Sequence, residues 1–372
     1  MKKYWIWFTL IMKPGYGDIK KVFEVFSTPE EVYKIDSREK YRETGLFKTA
    51  DIELLMNKDL KPAEAILLYC EEKGVSVLTM DDENYPKYLL EIYNPPAVLY
   101  YKGTLPDFSK TALVGVVGTR RSTEYGEKVA KYFGREMSKI GISVVSGVAE
   151  GIDRAGMVGG LKGPTPVIGV LGCGINVTYP KMNADLYQEV LDRGGVLMTE
   201  YPPNTPPYGY NFPIRNRIIA GLSLGVLVVQ APKKSGALIT AKIANDEGRS
   251  VFVVPANIDL PEWSGSNALL KAMGILTTSI EDICFELSPH LQVENVKSSR
   301  LQEKEIKLKF DDLPPDEQLV ASTIAHYGKL ESEQIMQYCG AQVMNLSSAL
   351  VMLEVKGIIK SKGNLYKINR DL

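Results

Sequence analysis

Histidine is almost missing from this 372-residue chain. The two present, His290 and His326, lie late in the sequence, so the commonest general acid and base is absent from everything before them. Cysteine is scarce as well: Cys70, Cys173, Cys284 and Cys339 stand far apart and form no CxxC pair. That speaks against a disulfide framework or a zinc site and for a reducing cytoplasm. No apolar run approaches the roughly 20 residues of a membrane span. The apolar start, MKKYWIWFTLIMKPGYGD, breaks at Lys13 and Pro14 and has no small-residue cleavage site, so neither a membrane segment nor a signal peptide is expected. Net charge is lacking too. With 44 basic and 45 acidic side chains the formal charge is -1, so no whole-molecule field draws in a polyanion, and any site for one must be local. Two phosphate signatures are missing: there is no GxxxxGKS/T, and GCGINV carries Val177 where the third glycine of a dinucleotide fingerprint falls. A P-loop and a dinucleotide cofactor are disfavoured on that ground, and neither cofactor nor metal is expected.

The most telling absence is confined to one window. Between Glu200 and Asp246 there is no acidic residue, while Arg215, Arg217, Lys233, Lys234 and Lys242 all fall there. The chain's overall acidic frequency predicts about five acids in such a stretch. Solvated basic faces usually mix signs, whereas an unbroken basic stretch in a neutral protein is what tracking a phosphate chain requires.

The length suits two or three domains. From Thr111 onward, short β-branched runs alternate with helical intervals: LVGVVG (113–118), ISVVSG (142–147), VIGVLG (167–172), GVLMTE (195–200), GVLVVQ (225–230) and SVFVVP (250–255). They read as buried parallel strands, with helices over Glu124 to Ile140, Asn183 to Arg193, Pro213 to Leu222 and Ala237 to Glu247. Repeated βα units predict an α/β fold: a Rossmann-like, doubly wound, mostly parallel sheet over residues 76–285, with its core at 111–285. Residues 1–75 read as a small helical domain of sterile-alpha-motif or helix-hairpin-helix type. Its Gly15 and Gly17 turn fits half of a nucleic-acid hairpin module and an ordinary helical turn equally well. Residues 286–310 read as a polar linker. Residues 311–372 pattern as three helices and two terminal strands, a winged-helix-like domain.

Open sheets of this kind bind ligands beyond the carboxyl ends of their strands, where turns and helix starts expose backbone N–H groups. GTRRS offers Gly118, Thr119 and Arg120 there, and SGVAEG offers Ser146 and Gly147. In NFPIRNR, Asn211 and Phe212 precede Pro213 at a helix start. Arg215 can grip phosphate oxygens bidentately, Arg217 follows it, and Phe212 suits either base stacking or core packing. KKSGALITA sets Lys233 and Lys234 ahead of Ser235, a natural N-cap, and Gly236, which permits close approach of a phosphate. Asp153, Glu200 and Asp246 share no recognisable spacing and read as solvated or structural, and Cys173 reads as a packed residue. No catalytic residue is expected.

In this order and spacing, GTRRSTEYG, SGVAEGID, GCGINVTYP, TEYPPNTPPYGYNFPIRNRIIAGLS, SGALITAKIANDEGRSVFVVP and SGSNALL resemble the DNA-processing protein A family (DprA, also called Smf). The resemblance covers essentially the whole central domain, and its most specific parts are NFPIRNRIIAGLS and SGALITA. It implies a homodimeric, non-enzymatic protein that binds single-stranded DNA and helps load the RecA recombinase onto it, in natural transformation and in general recombination. Carried over by motif, the resemblance assigns the site to Gly118, Arg120, Ser146, Gly147, Asn211, Phe212, Arg215, Asn216, Ser235, Gly236 and Thr240. Three positions depart from the family pattern. Met157 stands where histidine is common, Ala256 where glycine is usual, and Gln230 where glutamate is common, the last implying a more positive pocket.

In the tail, QVMNLSSALVMLEVKG has no basic residue before Lys356, and Leu313 to Leu372 holds as many acids as bases. That favours protein contact or regulation over duplex reading. The apolar stretch Ile275 to Phe285 is a candidate for self-association. Two other functions stay open: an enzyme acting on a nucleotide or sugar phosphate through the same turns, and a winged-helix transcription regulator.

Overall fold

The structure is a computed structural model that describes residues 1–15, 19–288, 313–327, 329–340 and 345–369. Most of the expected linker, Gly17, and the start of the last predicted helix lie outside the described residues. Two compact units are present, Met1–Val296 and Lys297–Leu372.

The first unit is organised by a nine-stranded sheet. Its strands are β1 (Ser76–Thr79), β2 (Val98–Gly103), β3 (Ala112–Val117), β4 (Ile142–Ser146), β5 (Ile168–Val170), β6 (Val196–Thr199), β7 (Gly225–Val228), β8 (Ser250–Val253) and β9 (Ile275–Leu276). They lie in the order β1-β2-β6-β5-β4-β3-β7-β8-β9. Strands β3 to β9 pair in parallel, and β1 and β2 add an antiparallel edge on β6. This is the predicted Rossmann-like, doubly wound sheet, and all six apolar runs are strands in it. Alternate residues of β3 enter different core clusters, Val114 and Val116 one, Leu113 and Val117 the other, as a sheet covered on both faces requires. From β3 the chain steps outward to β6, then returns to place β7 on the other side of β3. The crevice between β3 and β7 is thus the topological switch point, where such sheets hold ligands.

Among the described residues six helices lie between Lys2 and Glu72, and their Trp5, Phe8, Tyr41 and Leu55 join the same core cluster as Val114 and Val116. Among them Lys58 sits over three rings, with its Nζ 5.3 Å from the centroid of Trp7, 5.2 Å from Tyr33 and 5.0 Å from Tyr41.

Among its described residues the second unit contains helices Pro315–Tyr327, Ser332–Cys339 and Leu346–Val355 and three short strands, β10 (Leu330–Glu331), β11 (Ile359–Lys362) and β12 (Leu365–Ile368). The strands pair antiparallel in the order β10-β12-β11. Among the described residues these elements overlap the three predicted helices and the terminal strands, and β10 is an addition. The last helix exposes Val351, Met352 and Val355, and the Lys356 ammonium that follows it donates to Glu317 at 2.6 Å. Among the described residues no helix is long and apolar enough to cross a membrane.

Candidate functional site

A cleft of about 610 Å³ opens beyond the carboxyl ends of β3 and β7. Each wall is fixed by local chemistry. At the end of β3, a side chain at Gly118 would place its Cβ 2.6 Å from Ile152, so only glycine lets the strand end pack there. The Thr119 N–H then donates to the Gln230 carbonyl at 2.8 Å, and the Thr119 carbonyl accepts from the Ile152 N–H at 3.2 Å. Pinned on both sides, the turn presents Arg120 and Arg121 to solvent.

Beyond β7, the SGSNALL segment does the anchoring. Gly265 and Ser266 donate their N–H groups to the Ala231 carbonyl at 2.8 and 3.0 Å, while Ser266 Oγ accepts from the Ala231 N–H at 2.9 Å. Lys233 and Lys234 are exposed on the loop that follows. Ser235 caps the helix Gly236–Asp246, its Oγ accepting from the Ala237 N–H at 3.3 Å. A Cβ on Gly236 would meet nothing within 4 Å, so packing does not demand glycine here. Its effect is to leave uncovered a helix N-terminus, with its positive dipole end.

The third wall is the helix Asn211–Leu222, which starts two residues before the predicted Pro213. Proline is tolerated at its third position because N–H groups of the first turn have no intrahelical partner to lose. Asn211 is buried and donates from Nδ2 to the Gly172 carbonyl at 3.0 Å. The half-buried Phe212 ring is covered by protein groups: the Arg120 guanidinium lies 5.3 Å from its centroid, that of Arg215 5.9 Å, and the Tyr179 ring 5.4 Å.

Ten of the residues singled out from sequence line one cleft: Gly118, Thr119, Arg120, Phe212, Arg215, Asn216, Lys234, Ser235, Gly236 and Thr240. The others are placed differently. Ser146 is buried and donates to the Val116 carbonyl at 2.6 Å, and the Gly147 N–H donates to Asp153 Oδ2 at 3.2 Å, so the expected SG cradle is committed inside the protein. Arg217 donates from Nη2 to Glu200 at 2.6 Å and from Nε to the Asn94 carbonyl at 2.8 Å, a buried pair away from the cleft lining. Arg215 is only 4% exposed. It donates to the Gly147 carbonyl at 2.8 Å and to the Val170 carbonyl, so it acts as a charged strut beneath the floor instead of an outward fork. Burial pulls its guanidinium down, and Asp153 opposes that. The Asp153 carboxyl is pushed up by burial and held back by Arg215 and by the backbone amides of Ala149, Gly147 and Gly118. Cys173 is a packed residue, its thiol raised to about 11 by burial.

The electrostatics of the cleft are one-sided. Arg120, Arg121, Lys233 and Lys234 are exposed, and among the described residues no carboxylate pairs with any of them. Asp153 is the one acid in the lining, seated beneath it, and Glu150 borders a smaller adjoining recess. Gln230 does not line the cleft. It is fully buried, and its Oε1 accepts from the Thr123 N–H at 2.9 Å and from Thr123 Oγ1 at 3.2 Å, anchoring the cap of the helix Glu124–Lys139. Sequence reasoning passed over Arg121 and Tyr179, both in the lining. The doubled arginine of GTRRS and the aromatic of GCGINVTYP are the signals that could have found them.

The likeness to known proteins is specific. The profile of the DNA recombination-mediator protein A family matches residues 76–288. DNA processing protein DprA of Bacillus subtilis is 39% identical over 229 residues, 62% of this chain and 76% of that one. Protein Smf of Escherichia coli is 39% identical over 223 residues, 60% of this chain and 59% of that one. Among solved structures, DprA from Streptococcus pneumoniae superposes with a TM-score of 0.66 at 31% identity, covering 77% of this chain and 98% of that one. DNA processing protein A from Helicobacter pylori, solved for its single-stranded DNA binding mode, gives 0.51 at 29% identity over 59% of this chain and 97% of that one. A profile matched over more than half the chain, along the strands and turns that build the cleft, makes this chain a member of the DNA recombination-mediator protein A family.

Proposed function

We propose that the cleft binds single-stranded DNA through its phosphates, and that the protein, as a cytoplasmic homodimer, delivers that strand to a RecA-type recombinase during DNA uptake and recombination. The observation that carries the reading is the set of four exposed cations without carboxylate partners around the open helix start at Gly236. Phosphates on a flexible strand can meet spaced cations in sequence, and a helix N-terminus adds backbone donors. The Helicobacter pylori relative, which binds single-stranded DNA, supports the same ligand. An enzymatic reading that relies on Asp153 or Glu200 finds both committed elsewhere, Asp153 to the Gly147 N–H and Glu200 to Arg217. Exposed Leu276 and Phe285, at 57% and 76%, support a self-association surface, and the apolar face of the helix Leu346–Val355 supports a protein-contact role for the second unit.

Salt-titrated binding of oligothymidine and of duplex DNA tests the proposal. Affinity for the single strand should exceed that for the duplex and fall with salt at a log-log slope of about 0.7 per phosphate neutralised. Arg120→Ala should weaken binding and flatten the slope by about one such increment. Equal binding by wild type and Arg120→Ala, with the same slope, would remove the cleft as the site. Stimulation of recombinase filament growth on the single strand, lost in Arg120→Ala, tests delivery.

A further inference from the structure

At the mouth of the cleft runs the proline-rich segment YPPNTPPYGY, whose Pro207 and Gly209 form part of the lining. On either side of Gly209, Tyr208 and Tyr210 hold their rings parallel, with centroids 5.4 Å apart and planes 8° from coplanar. They are nevertheless 47% and 65% exposed. Two phenol faces kept in water forgo the burial that large aromatics normally gain. The segment is pinned, because Asn204 donates its N–H to Asn176 at 2.7 Å and accepts from the Asn176 amide at 2.6 Å. The Asn211 N–H donates to the Tyr208 carbonyl at 3.0 Å, and the Tyr208 N–H to the Pro206 carbonyl at 2.8 Å. The ring pair is therefore presented on a braced loop. Phe212, which by sequence suits either base stacking or core packing, is covered by Arg120, Arg215 and Tyr179.

We propose that the Tyr208 and Tyr210 stack is a base-stacking subsite: a nucleobase adjoining the phosphates held at Arg120 and Lys234 lies on the outer face of the pair. This rests on the single-stranded DNA reading above. At 5.4 Å between near-parallel rings the pair is already in offset contact, which leaves no slot for a base between them, so the base caps the stack. Every base has a π-face, so this subsite adds affinity without choosing sequence. It also adds affinity that salt does not touch, because no phosphate is neutralised by a phenol ring.

The test measures binding of oligothymidine and of an equally long abasic oligonucleotide across salt, using wild type, Tyr208→Ala, Tyr210→Ala, the double Tyr→Phe variant and Arg120→Ala. Each alanine variant should bind oligothymidine about ten- to a hundredfold more weakly with an unchanged salt slope, the double phenylalanine variant should bind as wild type does, and the alanine deficit should vanish on the abasic strand. Alanine variants that bind oligothymidine normally, or that lose as much on the abasic strand, overturn the subsite, the second result meaning that the rings only support Asn211 and Phe212. If Arg120→Ala also binds as wild type does, the cleft assignment itself has failed and the subsite with it.

Discussion

On helices outside the cleft and at their ends, lysines and arginines sit four residues from a carboxylate: Lys34 with Glu30 at 3.0 Å, Lys40 with Asp36 at 2.8 Å, Lys131 with Glu127 at 3.4 Å, Arg193 with Glu189 at 3.2 Å. Around the cleft, Arg120, Arg121, Lys233 and Lys234 have no such neighbour. Pairs of the first kind are close to neutral and each contributes at most about 1 kcal/mol. A cluster of the second kind repels itself and gains only when an anion arrives. The difference has a sequence cause. The acid-free window supplies no carboxylate to the loop after β7, and the switch-point topology brings the GTRRS turn, more than a hundred residues away, to the same place.

Arg217 is the sharpest challenge to this contrast, since it lies in the basic window yet pairs internally. Arg217→Met strands a buried Glu200, and should lower unfolding free energy by about 3 to 5 kcal/mol in urea titrations while leaving the DNA affinity of the folded fraction unchanged. Reversing one cleft charge, Lys234→Glu, should weaken oligothymidine binding by about 2 kcal/mol, roughly thirtyfold, with little change in melting temperature. An unaffected affinity would mean that the cluster does not act as a unit. Lys58 is a third kind of cation, enclosed by rings, and burial draws its ammonium down to about 8 against the pull of Asp36. Between that value and the ordinary 10.5 the unfolded chain holds a proton that the folded one has released, so this group's contribution to stability rises as pH climbs from 8 toward 10.5. The stability difference between wild type and Lys58→Met, followed over that range, should move in wild type's favour. Smallest of all, Lys131→Ala removes a paired surface lysine and should change stability by less than about 0.5 kcal/mol and binding not at all.

The fold was largely legible because parallel strands buried on both faces leave continuous apolar runs in the sequence. The six predicted strands are all present, and the antiparallel β1 and β2 extend the sheet beyond those six runs. The site was legible only to the level of the turn. Nothing in NFPIRNR tells that Arg215 will turn under the floor and Arg217 toward Glu200. Those directions are set by carbonyls at the ends of β4 and β5 and by an acid that closes the preceding strand. Likewise, an SG turn after a strand reads as a cradle until an aspartate six residues on from Gly147 is seen to accept its N–H. Phe212 and Tyr210 stand two apart, and which ring is covered depends on Arg120, ninety residues away.

The seat of Asp153 bears on how a strand could enter. Its carboxyl accepts from the Gly147 N–H, and the nearby amides of Ala149 and Gly118 also favour its charged form, at strand ends where such sheets commonly hold a phosphate. With Asp153 seated there, the proposed single-stranded DNA binding should not require a 5′ or 3′ terminus. A covalently closed circle should then compete for the cleft as well as a linear molecule of the same sequence.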